Sequence, residues 1–288
     1  AAWIGQRLHA GEPVPRVHLA APTGKAAARL SESMRVRVAE LGVDEAVRAV
    51  IPQTASTLHR LLGVRRGSNR FRHHAAHPLD TDLVVVDEVS MVDLPLMAKL
   101  LDALPAHARL VLLGDRDQLA SVEAGNVLAA VCSAAGEGAM SPARAALVAA
   151  VTGAAVAGDA AAAPFADAVI GLRDSHRFGR DSGLGRIAAM IRDGDATGAC
   201  QSIVEGALAD IILDTAAAQH AADALVHRHL DAFAALAACA DASTALAQSG
   251  QRRILTALRE GVSGSRALNT AFERALRQRA GIDAAQPW

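Results

Sequence analysis

The sequence predicts an α/β protein built on a doubly wound parallel sheet. Two apolar runs carry that reading. Leu83-Val84-Val85-Val86 ends in Asp87-Glu88, and a second run ends in Leu113-Gly114-Asp115-Arg116-Asp117-Gln118-Leu119. Each is short and apolar on both faces, as a buried strand of a parallel sheet is. The third observation is that such runs alternate with segments of helical spacing, the βαβ pattern. Ligands of open α/β sheets bind beyond the carboxyl ends of the strands, where both polar clusters fall.

The elements follow in order. Ala1 to Leu8 reads as the end of an amphipathic helix, so the chain opens inside a helix and looks like a fragment. Val17 to Ala21 is a strand closed by Pro22-Thr23-Gly24. A helix is expected from Lys25 to about Glu40, with Ala28, Met34 and Val38 facing a core. Thr54 to Leu62 is polar, then apolar. After Glu88, the residues Leu94, Met97, Leu101 and Leu104 recur at helical spacing until Pro105. Ser133 to Ala168 is rich in Ala and Gly and reads as a helical insert or linker. Ala168 to Leu172 is expected to begin a second sheet, with Ile254 to Leu258 as one of its strands. Ala216 to Gln248 is helical by propensity, and Ala267 to Arg279 is a last helix with Gly281 as its cap. The expected organisation is therefore a first lobe over 1–132, an insert over 133–168 and a second lobe over 169–288.

Composition narrows the class. The chain has 288 residues, enough for one large or two ordinary domains. Its formal net charge is −1, so a nucleic-acid partner would have to be met by a local patch. Cys132, Cys200 and Cys239 are odd in number and far apart, which argues for a reducing, cytoplasmic compartment. The most apolar stretch, Ala143 to Leu172, is interrupted by Asp159, Pro164 and Asp167 and should not partition into lipid.

The chemistry-bearing residues cluster at the predicted strand ends. Asp87 can hold Mg²⁺ through water, and Glu88 can orient or deprotonate an attacking water. Gln118 offers a donor and an acceptor, which suits sensing of a γ-phosphate. Pro22-Thr23-Gly24-Lys25 looks like a phosphate loop but is not one: Leu19 and Ala26 stand where Gly and Ser or Thr are required. The turn is better suited to offering Thr23, Lys25 and backbone N–H groups to a nucleic-acid phosphate. Arg60, Arg65, Arg66, Arg70 and Arg72 lie in a stretch with no acidic residue before Asp80, a source of salt-dependent phosphate contacts. His73, His74 and His77 lack Cys or carboxylate partners at ligand spacing and read as loop residues. Arg177, within Ser175-His176-Arg177-Phe178, could reach a γ-phosphate as an arginine finger.

The ordered set Ala21-Pro22-Thr23-Gly24-Lys25, Thr57-Leu58-His59-Arg60-Leu61-Leu62, Val86-Asp87-Glu88, Gly114-Asp115-Arg116-Asp117-Gln118-Leu119 and Ser175-His176-Arg177-Phe178 resembles superfamily 1 DNA helicases. The longer strings Val86 to Pro95, Leu113 to Gly125, Ala257 to Gly261 and Ala267 to Asn269 are similar to the RecD family, the alpha subunits of bacterial exodeoxyribonuclease V. The resemblance implies a P-loop NTPase (RecA-like) lobe, here without its Walker A strand and loop, and part of a second RecA-like lobe. It implies ATP and Mg²⁺ as cofactors and single-stranded DNA as partner. It further implies 5′ to 3′ helicase activity beside RecB-like and RecC-like subunits in double-strand break repair and recombination. Under it Asp87 would coordinate Mg²⁺, Glu88 would activate water, Gln118 would sense the γ-phosphate and Arg177 would stabilise transferred charge. Thr23, Lys25, Thr57 and His59 would lie on the DNA side, with Arg60 beside them.

Without a phosphate loop the chain alone is expected to hydrolyse ATP negligibly. An absent first strand would also leave a central position of the sheet unfilled. A non-catalytic DNA-binding or subunit-docking module on the same fold is the competing reading. A P-loop ATPase unrelated to DNA is a third.

Overall fold

A computed structural model describes residues 1–65, 67–68, 70–118, 125–136, 140–163, 165–172, 182–214 and 221–280. The chain divides into two compact units, Ala1–Asp174 and Ser175–Trp288. The sequence expectation placed boundaries at 132/133 and 168/169. The first of these falls inside a helix, Val127–Ala135, that packs on the core of the first unit.

In the first unit, α1 (Ala2–His9) precedes β1 (Val17–Ala21), α2 (Gly24–Glu40), α3 (Glu45–Val50), β2 (Ala55–Thr57) and α4 (Leu58–Leu62). Then come β3 (Leu83–Val86), a 3₁₀ turn (Val89–Met91), α5 (Leu94–Ala103), β4 (Arg109–Leu112), α6 (Val127–Ala135) and α7 (Pro142–Thr152). The strands form one sheet in the order β2-β1-β3-β4, and all neighbours are parallel. Among the described residues the sheet is continuous, without the gap expected from the sequence, and β4 and β2 are its edges.

Side chains alternate across the sheet, so Val17 and Ala20 of β1 point to opposite faces. Ala20, Val84 and Val86 meet Leu58, Leu62, Met97 and Leu100 in the main core, under α4, α5 and α6. Val17 joins Ile4, Val38, Val47 and Ile51 in a second cluster built from α1, α2 and α3. Helices therefore lie on both faces of the sheet, which is why β3, Leu83–Val86, can be apolar throughout.

Two helix faces differ from expectation. On α5 the buried residues are Leu96, Met97, Leu100 and Ala103, while Leu94 and Leu101 are exposed. The side chain of Asp93 caps α5 by accepting from Leu96 N at 2.7 Å, which sets the phase of the helix. On α2 it is Ala27, Ser31 and Val38 that are buried, and Ala28 is exposed. Buried Ser31 donates to Ala27 O at 2.8 Å and accepts from Ala55 N at 2.9 Å, tying the edge strand β2 to α2.

The amino end of the sheet is held by Asp82. Its carboxylate accepts from Arg16 N at 2.7 Å, its own N donates to Arg16 O at 2.9 Å, and its O accepts from Arg109 N at 2.9 Å. The hydrogen bond from Arg16 N, with the Arg16 charge, holds the Asp82 carboxyl below the usual carboxylate range against the opposing effect of burial. A lowered folded pKa means that the stabilisation is complete above the unfolded value of about 3.9 and is lost as pH falls through the lower folded value. We expect Asp82→Asn to cost about 1 kcal/mol at neutral pH and to flatten the acid limb below about pH 4. Chemical denaturation at pH 7 and pH 3 checks this, and an equal loss at both would contradict it.

The described residues of the second unit contain helices only: α8 (Gly183–Arg192), α9 (Ala196–Val204), α10 (Ala221–Ala237), α11 (Ala242–Gly250) and α12 (Ser265–Ala280). Ile187, Ala199 and Leu208 form one small core, and Phe233 meets Phe272 edge-on at 5.0 Å between α10 and α12. The two strands expected from the sequence, Ala168 to Leu172 and Ile254 to Leu258, are not strands. The first begins in a 3₁₀ turn, Ala166–Ala168. The second is tied to the start of α12 instead, where Ser265 N donates to Leu258 O and Arg266 N to Arg259 O, each at 3.1 Å. An apolar run becomes a strand only where a neighbour takes its N–H and C=O groups. No second strand does so along this run among the described residues, and Leu255 is 90% exposed.

Candidate functional site

The carboxyl edge of the sheet is built strand by strand. The register pairs Ala21 with Thr57, Ala20 with Val86, and Val86 with Leu112. Just beyond it, Asp87 N donates to Ala20 O at 2.9 Å, Leu113 N to Val86 O at 2.8 Å and Val89 N to Leu113 O at 3.0 Å. The edge thus reads, in space, Thr57, Ala21, Asp87, Leu113. β2 lies on one side of β1 and β3 on the other, so the chain changes direction at β1. A topological switch point of this kind is where open α/β sheets bind ligands. Asp87 and Glu88 stand at it.

Both carboxylates are half-buried. Asp87 Oδ1 accepts from Glu88 N at 2.9 Å. Glu88 has φ +55° and ψ +42°, the only non-glycine with positive φ among the described residues. That left-handed conformation is unfavourable for Glu and breaks β3 abruptly, turning the chain into the 3₁₀ turn. No group of three or more His, Cys, Asp or Glu able to hold a metal ion occurs among the described residues. The donors that are present, the carboxylate oxygens of Asp87 and Glu88, are of the kind a hard cation such as Mg²⁺ takes in ones and twos beside water and phosphate oxygens.

On the β4 side the loop after Leu112 is pressed onto the 3₁₀ turn. A Cβ on Gly114 would stand 3.2 Å from Val89 N, 3.3 Å from Ser90 N and 2.8 Å from Leu128 Cδ2. Gln118 is exposed, and its Oε1 accepts from the hydroxyl of Ser90 at 3.2 Å. Ser90 and Gly114 stand in the strings singled out in the sequence, but no role is legible there for either. No pattern marks a serine two residues past Glu88 as a partner for a residue 28 positions on.

On the β1 and β2 side two helices start next to each other. Thr23 caps α2, accepting from Ala26 N at 3.2 Å, and Thr57 caps α4, accepting from Arg60 N at 3.2 Å. Each hydroxyl keeps its proton to donate to an acceptor such as phosphate. Lys25, His59 and Arg60 are exposed beside them. Gly63, with φ +75°, ends α4, and the chain returns through a Val64–Phe71 antiparallel bridge. Phe71 there meets His59 edge-on at 5.7 Å and receives the Lys99 ammonium at 5.2 Å. Arg65, Arg70 and Arg72 are exposed on this excursion. The edge thus gathers Thr23, Lys25, Thr57, His59 and Arg60 on one flank of Asp87-Glu88, with Gln118 on the other. Arg66 and Arg177 lie outside the described residues.

Known proteins resemble this chain over most of its length. A family model described as an AAA domain matches residues 3–124. The RecBCD enzyme subunit RecD of Mycolicibacterium smegmatis is 38% identical over 277 residues, covering 96% of this chain and 44% of that protein. The RecBCD enzyme subunit RecD of Haemophilus influenzae is 44% identical over 184 residues, 62% of this chain and 29% of that protein. The ATP-dependent RecD2 DNA helicase of Deinococcus radiodurans is 47% identical over 119 residues, 41% of this chain and 14% of that protein. The chain spans less than half the length of these relatives. The first unit has the α/β fold of the P-loop NTPases, and with its ordered motifs these matches identify the chain as a member of the RecD-like family.

Proposed function

We propose that this chain is the motor segment of an ATP-dependent 5′ to 3′ DNA helicase subunit that works with RecB-like and RecC-like partners in cytoplasmic double-strand break repair. One observation carries the reading: the carboxyl edge sets a cationic flank and a Gln-bearing loop on opposite sides of a carboxylate pair. ATP and Mg²⁺ would supply the phosphoanhydride and the charge that neutralises it. Asp87 holds the cation through water, and Glu88 takes the proton of the attacking water. Gln118 reports the terminal phosphate. Arg177 is assigned the stabilisation of transferred charge on family resemblance. On family resemblance the chain comprises a first RecA-like lobe followed by part of a second over 169–288. Among the described residues no helix is long and apolar enough to cross a membrane.

Thr23, Lys25, Thr57, His59 and Arg60 form the DNA side. Each phosphate neutralised on a single strand contributes about 0.7 to the slope of log affinity against log salt. We therefore expect Lys25→Ala and Arg60→Ala in the complete protein each to lower that slope by about 0.7, uniformly across sequences. Fluorescence anisotropy with oligonucleotides over a salt series measures it. Unchanged slopes would move the DNA path elsewhere. Single-strand-stimulated ATP hydrolysis by the complete protein tests the reading as a whole. A non-catalytic module would bind DNA with the same salt dependence and show no turnover.

A further inference from the structure

We propose that Ser90 is a positioning residue for Gln118, fixing the orientation of its amide so that the NH₂ end faces the terminal phosphate. The inference rests on the assignment of Gln118 to that phosphate and gives a role to Ser90, to which the motif resemblance attaches none.

Ser90 sits in the 3₁₀ turn directly after Glu88 and is 3% exposed, one of the few buried polar residues of the chain. Its hydroxyl reaches Gln118 Oε1 at 3.2 Å. Gln118 itself is exposed on the loop beyond β4, and among the described residues its backbone N makes a long bond to Asp115 O at 3.3 Å. A long, exposed side chain on such a loop has considerable rotamer freedom to lose. The contact with Ser90 removes some of it before any nucleotide arrives.

The chemistry of the two ends of the amide sets the direction. A nucleotide phosphate near neutral pH offers acceptors, so only the NH₂ of Gln118 can bond to it. The opposite end, Oε1, then needs a donor from the protein side, and a serine hydroxyl supplies one. With the amide reversed, the carbonyl oxygen would face the phosphate and repel it. Ser90 thus selects the productive orientation. It also joins the Gln loop to the turn that begins at Glu88, so phosphate sensing and water activation share one piece of backbone. Val89 N on Leu113 O and the close approach of Gly114 to Val89 and Ser90 hold that piece together.

The test is a double-mutant cycle in the complete RecD-like protein, reading kcat and KM for ATP with saturating single-stranded DNA. Ser90→Ala should lower kcat about five-fold, the worth of one neutral hydrogen bond, with KM within about two-fold. In a Gln118→Ala background the same change should do nothing, because the group it orients is gone. Ser90→Thr keeps the hydroxyl and Ser90→Val is its isostere without one. The Thr variant should therefore exceed the Val variant in kcat at equal thermal stability, and this pair carries the comparison if the alanine variant does not fold. Equal effects of Ser90→Ala in both backgrounds, or equal activity of the Thr and Val variants, would overturn the proposal. Glu88→Gln, measured in the same series, separates the two levels. If it leaves turnover intact, the assignment of the hydrolytic site to the Glu88 turn fails, and the Gln118 reading with it; if it abolishes turnover while Ser90→Ala is silent, only the positioning role fails.

Discussion

Glu88→Gln in the complete protein should lower single-strand-stimulated ATP hydrolysis by about 10²–10⁴-fold, the range spanned by loss of a general base. Gln has the size and hydrogen-bonding reach of Glu but cannot take a proton from water near neutral pH. The substitution also leaves the local backbone intact. Glu88 N still donates to Asp87 Oδ1, Glu88 O still accepts from Met91 N, and the left-handed turn that ends β3 is a property of the backbone between Val86 and Val89. Nucleotide affinity and DNA affinity should therefore change by less than about three-fold, because the lost interaction is made only in the transition state. Steady-state hydrolysis, nucleotide binding and anisotropy on the same preparation separate these terms. Hydrolysis within about two-fold of the parent would remove Glu88 from the chemistry and require the general base to be another group.

The first unit was legible because its signals are local. Four aliphatic residues followed by two carboxylates can hardly be anything but a buried strand and its carboxyl end, and β3 is found at Leu83–Val86. Thr23 before the run from Lys25 reads as a helix start, and it is a cap; the cap at Thr57 was not legible, because Thr54 to Leu62 reads only as polar, then apolar. The phase of α5 was misread because Leu94 and Leu101 fit a helical stripe as well as Leu96 and Leu100 do. Only packing under the sheet chooses between the two, and it buries Leu96 and Leu100. Ile254 to Leu258 failed for a related reason. Its apolar content is that of a strand, but a strand is a relation between segments, and this segment has bonded to the α12 start instead. The Ser90–Gln118 contact could not be read at all. It depends on the parallel register of β3 against β4, which brings together residues 28 positions apart.

Gly114→Ala is expected to cost about 1–3 kcal/mol of stability, the usual range for overpacking a tight site. It should also cut turnover more than its stability loss explains. No left-handed backbone is involved here, so the cost comes from space alone. The overlap with Leu128 Cδ2 at 2.8 Å is soft, because a leucine terminus can rotate away. The approaches to Val89 N at 3.2 Å and Ser90 N at 3.3 Å are not, because these are main-chain atoms of the turn that follows Glu88. Val89 N also holds Leu113 O at 3.0 Å, so the loop cannot retreat without weakening that bond. A methyl group at Gly114 must therefore push the Gln118 loop and the Glu88 turn apart by a few tenths of an ångström. Positioning errors of that kind act on the chemical step before they act on binding. The expected pattern is a lower kcat with KM for ATP and DNA affinity little changed. Leu128→Ala, which empties the soft side of the contact, should restore little of the loss, whereas a clash dominated by Leu128 would be rescued almost fully by it. Thermal unfolding and steady-state kinetics on the single and double variants distinguish the two, and full rescue would show that the main-chain approach of β4 to the 3₁₀ turn does not set the geometry of the site.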